Sequence, residues 1–80
     1  MARFRLLVTL SDGAGGCCRI SSDGNRHFLI EHTKHGVTVE RFCSSDPNRV
    51  HRRAHELCVL GWAVAWASEE GGVLRCRPNR

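Results

Sequence analysis

The N-terminal segment alternates between polar and apolar residues with the two-residue period of a β-strand. In RFRLLVTL, residues 3–10, an apolar side chain occupies every second position. Because successive side chains of a strand point to opposite faces of a sheet, the pattern predicts a half-buried strand with Arg3 and Arg5 on its polar face. The predicted buried face consists of Phe4, Leu6, Val8 and Leu10.

Three more strand-like segments follow, and each is bounded by residues that favour turns. SDGAGG at 11–16 and SDGN at 22–25 interrupt the apolar pattern and predict loops, since Gly, Asp and Asn tolerate turn conformations. The last two segments are joined by TKHG and have the pattern of a hairpin. The predicted strands are 17–21, 27–32 and 37–42.

The segment SSDPNRVHRRAHELCVLG carries helix signals at both ends. Ser45 or Asp46 can cap the N-terminus, and Pro47 suits the first turn because its missing N–H would have no intrahelical partner there. Gly61 fits the position just after the last turn. The apolar stripe that should face the core consists of Val50, Ala54, Leu57 and Cys58.

Two strand patterns follow the helix. WAVAWA at 62–67 predicts a strand with both tryptophans on one face and the alanines on the other. VLRCR at 73–77 predicts a closing strand with Arg75 and Arg77 on one face. The expected order is ββββαββ, a single α+β domain over residues 1–80 with one antiparallel sheet and a single helix packed on one face.

The two tryptophans, Trp62 and Trp66, have two possible environments. In a chain with only 6% aromatic residues, burial of both against the helix is favoured, because large rings dominate a small core. On the other face of the sheet they would lie beside arginines and form the stacking and cationic surface that single-stranded nucleic acid prefers. They could equally mark a homodimer interface there.

The size of the chain restricts the kind of function it can have. A domain of 80 residues buries only roughly 60% of its unfolded surface, so most of its apolar side chains are needed for the core. Few remain to line an enclosed active-site cleft. The composition, 41% hydrophobic and 25% charged, is that of an ordinary globular protein.

The net charge of +4 comes mostly from arginine, which supplies eleven of the twelve basic residues. Guanidinium groups bind phosphate and carboxylate in a bidentate manner, so the arginines are the candidate partner contacts. The alternative is that the arginines on the helix simply form its solvent-exposed face. A net positive charge this small permits docking on nucleic acid or on an acidic protein patch and requires neither. The candidates are Arg49, Arg52 and Arg53 on the helix, and Arg3, Arg5, Arg75 and Arg77 on the terminal strands.

His51 and His55 stand one helical turn apart, a spacing that metal ligands often share. Arg52 and Arg53 follow His51, where a metalloprotease motif would have a glutamate, and nearby cations disfavour a divalent ion. We therefore expect two solvated histidines, no metal and no cofactor.

The five cysteines cannot all pair within the chain, because their number is odd. With no signal-peptide core and no membrane-spanning stretch, this predicts reduced thiols in a cytoplasmic protein. Cys58 and Cys76 fall on predicted buried faces. Cys17 and Cys18 follow the glycine-rich loop, with no evident group to lower a thiol pKa. We expect no catalytic residue, and hence no enzyme.

The stretch DPNRVHRRAHELCVLGWAVAWASEEGGVLRCR, residues 46–77, gives the chain a layout that resembles the small phage-encoded anti-CRISPR proteins. The resemblance implies an inhibitor that docks on a CRISPR effector complex, for example of type I, in the host cytosol and blocks target DNA binding or nuclease recruitment. The resemblance assigns no functional residue to this chain, because no motif is shared. Some members of that class are acidic DNA mimics, whereas a basic chain would have to dock on an acidic protein patch or on nucleic acid held in the complex. The alternative is a direct nucleic-acid-binding module with an arginine-rich face.

Overall fold

The structure is a computed structural model in which residues 3–68 are described. These residues form one five-stranded antiparallel sheet and one helix in the order ββββαβ, which confirms the predicted α+β class. The strand predicted at 73–77 lies outside the described residues. The elements are β1 (Arg5–Ser11), β2 (Gly16–Ser22), β3 (Phe28–Lys34), β4 (Val37–Ser44), α1 (Pro47–Val59) and β5 (Ala63–Ala67).

The spatial order of the strands is β4-β3-β2-β1-β5. The first four strands therefore form a meander in which each strand pairs with the next one along the chain. α1 then carries the chain from the β4 edge to β5, which pairs with β1. We call the face of the sheet that packs against α1 the helix face and the opposite face the far face.

The core lies between the helix face and the apolar stripe of α1. Val8, Ile20 and Ile30 are cross-strand neighbours at the centre of the sheet and are fully buried. Burial of each such side chain contributes about 1.5–3 kcal/mol to the free energy of unfolding. The helix covers them with its buried residues Val50, Ala54 and Leu57.

A β-bulge in β1 changes the face on which its side chains lie. Leu6 is opposite Ser21 and Val8 is opposite Ile20, so Leu7 is an extra residue between the two pairs. An extra residue shifts the alternation of side chains by one position. Leu6 therefore lies on the far face and Val8 on the helix face, which corrects the prediction of one apolar face over the whole first strand.

A second irregularity separates the two tryptophans. The register of β1 against β5 shifts between Thr9 and Leu10, and Trp66 lies opposite Thr9 on the far face with 48% of its surface exposed. Trp62 packs against the core, and its ring meets the ring of His32 edge to face at 5.1 Å. The prediction that both tryptophans share a face is therefore wrong.

Both ends of α1 are closed by hydrogen bonds that the sequence encodes. The Asp46 side chain caps the first turn by accepting a 3.0 Å bond from the N–H two residues later. At the other end, Gly61 N–H donates to the Cys58 carbonyl and Trp62 N–H to the Leu57 carbonyl, both at 3.0 Å, in a Schellman motif. Gly61 has a φ of +96°, which glycine adopts at least cost. α1 is thereby limited to 13 residues, and no helix within residues 3–68 is long and apolar enough to cross a membrane.

The loops on either side of β2 share one hydrogen-bond pattern, and both begin with Ser-Asp-Gly, at 11–13 and 22–24. In each loop the aspartate Oδ1 accepts bonds from the backbone N–H groups two and four residues later. The distances are 2.7 and 2.8 Å for Asp12 and 2.7 and 3.2 Å for Asp23. The preceding serine Oγ accepts from the glycine N–H in both loops. The same turn therefore closes both ends of β2.

Replacing Arg26 by glycine should stabilise the protein. Arg26 has a φ of +68° at the position that Gly15 occupies in the other loop, with a φ of +92°. A side chain in this left-handed region costs about 1–2 kcal/mol, and the extra freedom of glycine in the unfolded chain offsets part of the gain. We expect a melting temperature roughly 4–8 °C higher per kcal/mol gained, measured by calorimetry. Arg19→Gly, in the extended strand β2, should lower it; a lower melting temperature for R26G would contradict the argument.

Acid should weaken both loops. The pKa values of Asp12 and Asp23 are lowered, chiefly because the backbone N–H groups of Ala14 and Asn25 donate to the carboxylates. This stabilisation is fully present above the ordinary aspartate pKa and is lost as the pH falls through the lower folded-state pKa. The double variant D12N/D23N keeps an acceptor oxygen but does not titrate. Its free energy of unfolding, measured in urea, should therefore vary less between about pH 4 and pH 2 than that of the wild type. Equal pH dependence would refute the assignment.

The cysteines are not all reduced. Cys58, half-buried near the end of α1, is disulfide-bonded. Cys17, Cys18 and Cys43 are free thiols. The expectation that all five cysteines are reduced is therefore wrong.

Candidate partner-binding groove

A groove of about 460 Å³ lies between α1 and the edge strand β4. The strand supplies one wall and the arginine-bearing side of the helix supplies the other. Its lining residues are Glu40, Arg41 and Phe42 from β4 and Arg49, Arg52, Arg53 and Glu56 from α1. The structure thus brings together the whole helical set of arginines that the sequence predicted as partner contacts.

Two contacts define the direction of α1 along β4. The Arg49 guanidinium carbon lies 4.7 Å from the centre of the Phe42 ring. One turn later, Arg53 Nη2 donates to Glu40 Oε1 at 2.5 Å. Four helix residues, about 6.0 Å, therefore match two strand residues, about 6.6 Å, and α1 runs antiparallel to β4 along the groove.

Arg53 connects the two walls of the groove, α1 and β4, through its contacts with carboxylates. Its guanidinium lies 2.5 Å from Glu40 and 3.9 Å from Glu56, and its side chain is 28% exposed. Its Nε is buried and has no hydrogen-bond partner among the described residues. A buried unsatisfied donor costs about 1–3 kcal/mol, which the two carboxylates offset. Arg53 therefore connects α1 to β4 and is a poor candidate for a partner contact.

Arg49 and Arg52 present their guanidinium groups to solvent. Both residues are exposed, and neither forms an ion pair with a carboxylate of residues 3–68. Arg49 stacks on Phe42, an arrangement that leaves its in-plane N–H donors available. With four arginines against two glutamates, the groove is positive, and these two cations are its available anion-binding groups.

The described members of the second arginine set, Arg3 and Arg5, do not line this groove. Arg3 is exposed at the start of the described chain, and Arg5 lies opposite Ser22. Because of the bulge, Arg5 is on the helix face and not on the polar face predicted for it. β1 is separated from β4 by β2 and β3, a distance of about 14 Å at the usual strand spacing. Arg75 and Arg77 lie outside the described residues.

The far face carries an aromatic and a basic residue that the sequence did not group. The register aligns Trp66, Thr9 and Arg19 in one row across β5, β1 and β2. Trp66 and Arg19 are both exposed and are about 10 Å apart at the backbone, two strand spacings. Arg19 could not be found from sequence periodicity, because its neighbours in the row are defined by strand register alone.

The helix face contains a row of residues with the composition of a thiol active site. Cys18 lies opposite His32, and His32 lies opposite Glu40. Cys18 is fully buried, and this desolvation raises the pKa of its thiol to about 11. A thiol that is protonated at neutral pH is a poor nucleophile. Cys18 therefore acts as a small core residue in this structure.

The two helical histidines, His51 and His55, are both exposed, as predicted. Within residues 3–68, no three His, Cys, Asp or Glu side chains form a group that could hold a metal ion.

No protein-family model matches this chain, and no curated protein or solved structure matches it either.

Proposed function

We propose that this protein is a non-catalytic inhibitory binding protein that docks on an acidic patch of a protein partner through the groove between α1 and β4. The observation that carries the proposal is the pair of exposed arginines, Arg49 and Arg52, beside the half-buried ring of Phe42. Arginine is a frequent interface anchor because it combines bidentate bonds to carboxylates with stacking on rings. Phe42 offers an apolar centre, and the arginines offer a charged rim.

The two glutamates of the groove favour a protein partner over nucleic acid. Glu40 and Glu56 lie in the same walls as the arginines. A phosphate backbone would meet these carboxylates with like charge, which is unfavourable at close range. A protein segment can instead place separate carboxylates against Arg49 and Arg52, while Glu40 and Glu56 stay beside Arg53.

The resemblance to anti-CRISPR proteins supplies the first partner to test. On this interpretation the partner is a CRISPR effector complex, for example of type I, and the bound inhibitor prevents target DNA from binding. The net charge of +4 does not fit imitation of DNA. It fits docking on an acidic region of the effector.

Co-elution with purified effector complexes tests this partner. The full chain is mixed with each complex, separated by size-exclusion chromatography, and assayed for target DNA binding by gel shift. We expect a stoichiometric complex and loss of the shifted DNA band. Absence of a complex with every effector tested, together with an unchanged gel shift, would reject the anti-CRISPR partner.

The exposed Trp66 in line with Arg19 favours a second candidate, direct binding of single-stranded nucleic acid on the far face. Stacking on an exposed ring contributes about 1–3 kcal/mol per base, and arginine adds a phosphate contact. Affinity for a labelled oligonucleotide should then fall with salt by a slope of about 0.7 per phosphate contact. Trp66→Ala should weaken binding and Arg52→Glu, in the groove, should matter less. A flat salt response would exclude this candidate.

A further inference from the structure

β4 is an edge strand whose outer side is unpaired among residues 3–68. It stands at one end of the sheet and pairs with β3 alone. Its eight residues are mostly exposed and include no proline. An edge strand presents unpaired backbone N–H and C=O groups, to which an extended segment of another chain can add as a further strand.

The groove is lined by consecutive residues of this edge strand. Arg41 alternates with Glu40 and Phe42 along β4 and lies on the far face, where its Nε is 3.8 Å from Glu31 Oε2. Arg41 nevertheless lines the same groove as Glu40 and Phe42, which lie on the helix face. Three consecutive residues of the edge strand therefore line the groove, so the groove adjoins the backbone of β4.

A bulge limits regular pairing to the half of β4 that borders the groove. His32 is opposite Glu40 and Thr33 is opposite Thr38, so Val39 is an extra residue. Bulges interrupt the hydrogen-bond ladder of an edge. The regular part of the edge is therefore 40–44, beside which the helix arginines lie.

The spacing of the helix arginines suits alternate side chains of an added strand. Neighbouring side chains on one face of a strand are about 6.6–6.8 Å apart. Arg49 and Arg52 are separated by about 4.5 Å along the helix axis. Two long, flexible arginine side chains can span the difference of about 2 Å. Carboxylates at every second position of the strand would then meet one arginine each.

From these observations we propose that the groove receives an extended acidic segment of the partner, which adds to β4 as a further strand with alternate carboxylates on Arg49 and Arg52. The proposal rests on the proposed function and narrows it to one recognition mode and one sequence type, with Asp or Glu at every second position. Backbone pairing supplies affinity, and the arginines supply selectivity.

Two short peptides of equal composition test the alternation. One alternates glutamate and threonine, and the other has all its glutamates followed by all its threonines. Binding to the full chain is measured by fluorescence anisotropy. We expect the alternating peptide to bind about tenfold more tightly, because its carboxylates lie on one face when it is extended. Equal affinities would overturn strand addition and leave arginine-mediated docking in place.

Backbone methylation separates strand addition from simple charge attraction. The alternating peptide is made in two forms, N-methylated at its odd or at its even residues. In a strand pair only alternate N–H groups face the neighbour, so one form should lose about tenfold in affinity and the other should bind like the parent. Equal affinities for the two forms, or no binding of any peptide at millimolar concentration, would overturn the proposal. Effector co-elution then decides the proposed function independently.

Protein variants and amide exchange locate the bound peptide. Arg52→Glu should abolish binding of the alternating peptide, whereas Arg19→Glu makes the same charge change on the far face and should preserve it. Hydrogen exchange of backbone amides, followed by NMR, should slow within 40–44 when the peptide binds. Slowing confined to β5, or equal effects of the two substitutions, would contradict the site.

Discussion

Replacing Ile30 by alanine will lower the free energy of unfolding by about 2–5 kcal/mol. Ile30 is fully buried at the centre of the sheet, between Ile20 on β2 and Phe42 on β4. Truncation removes apolar atoms from the single layer between sheet and helix and leaves a cavity that paired strands cannot close. A domain of this size has a total stability of about 5–15 kcal/mol, so the variant will lose a large part of it.

Val37→Ala is the matched control for this core substitution. Val37 is 65% exposed at the start of β4, so its truncation removes little buried surface and should change stability by no more than about 0.5 kcal/mol. Urea unfolding followed by tryptophan fluorescence measures both variants, since Trp62 packs against the core. Similar losses in the two variants would show that the core is not centred on Ile30.

Reversing the charge of both Arg49 and Arg52 should weaken the proposed docking on an acidic partner by about a hundredfold or more. Loss of a charge pair in an interface typically costs about 2–5 kcal/mol, and a glutamate adds repulsion against the partner carboxylates. A hundredfold change corresponds to about 2.7 kcal/mol. Arg53 is left in place, because its contacts with Glu40 and Glu56 connect α1 to β4.

Controls for the charge reversal must separate local contacts from net charge. Arg52→Glu and Arg19→Glu change the net charge equally, one in the groove and one on the far face. Affinity for the partner, measured by surface plasmon resonance at two salt concentrations, should fall only for the groove variant, while the melting temperatures stay close to that of the wild type. A larger loss for Arg19→Glu would favour the nucleic-acid alternative.

Elements with local signals could be predicted from the sequence. α1 begins after Asp46 and ends before Gly61, because capping residues and the apolar stripe act within a few positions of one another. The hairpin of β3 and β4 likewise follows from alternation around a short turn. Packing the helix stripe against one face of the strands buries both, so the α+β class follows as well.

The bulges could not be predicted, because they arise when distant strands pair. The extra residue at Leu7 depends on β2, and the shift before Trp66 depends on β5 and β1. Each bulge moves the following side chains to the other face. For this reason the predicted faces of the first strand and of the tryptophan strand were wrong although both strands exist.

The candidate groove could be predicted only in part. Helical spacing groups Arg49, Arg52 and Arg53, but it cannot distinguish the two exposed cations from Arg53, whose carboxylate partner Glu40 comes from β4. Phe42 is also contributed by β4. The odd number of cysteines likewise led to the wrong prediction that all five thiols are reduced, whereas Cys58 is disulfide-bonded. Such roles depend on contacts between separate elements.

The pairing of β5 with β1 also has a kinetic consequence. The first four strands and α1 contact their neighbours in the sequence, whereas β5 joins residues from opposite ends of the described chain. Closing so long a loop costs entropy, and folding slows as contacts become less local. We therefore expect the meander and α1 to assemble early and β5 to dock last. A chain leaving the ribosome would then expose a finished α1–β4 groove before its sheet is complete.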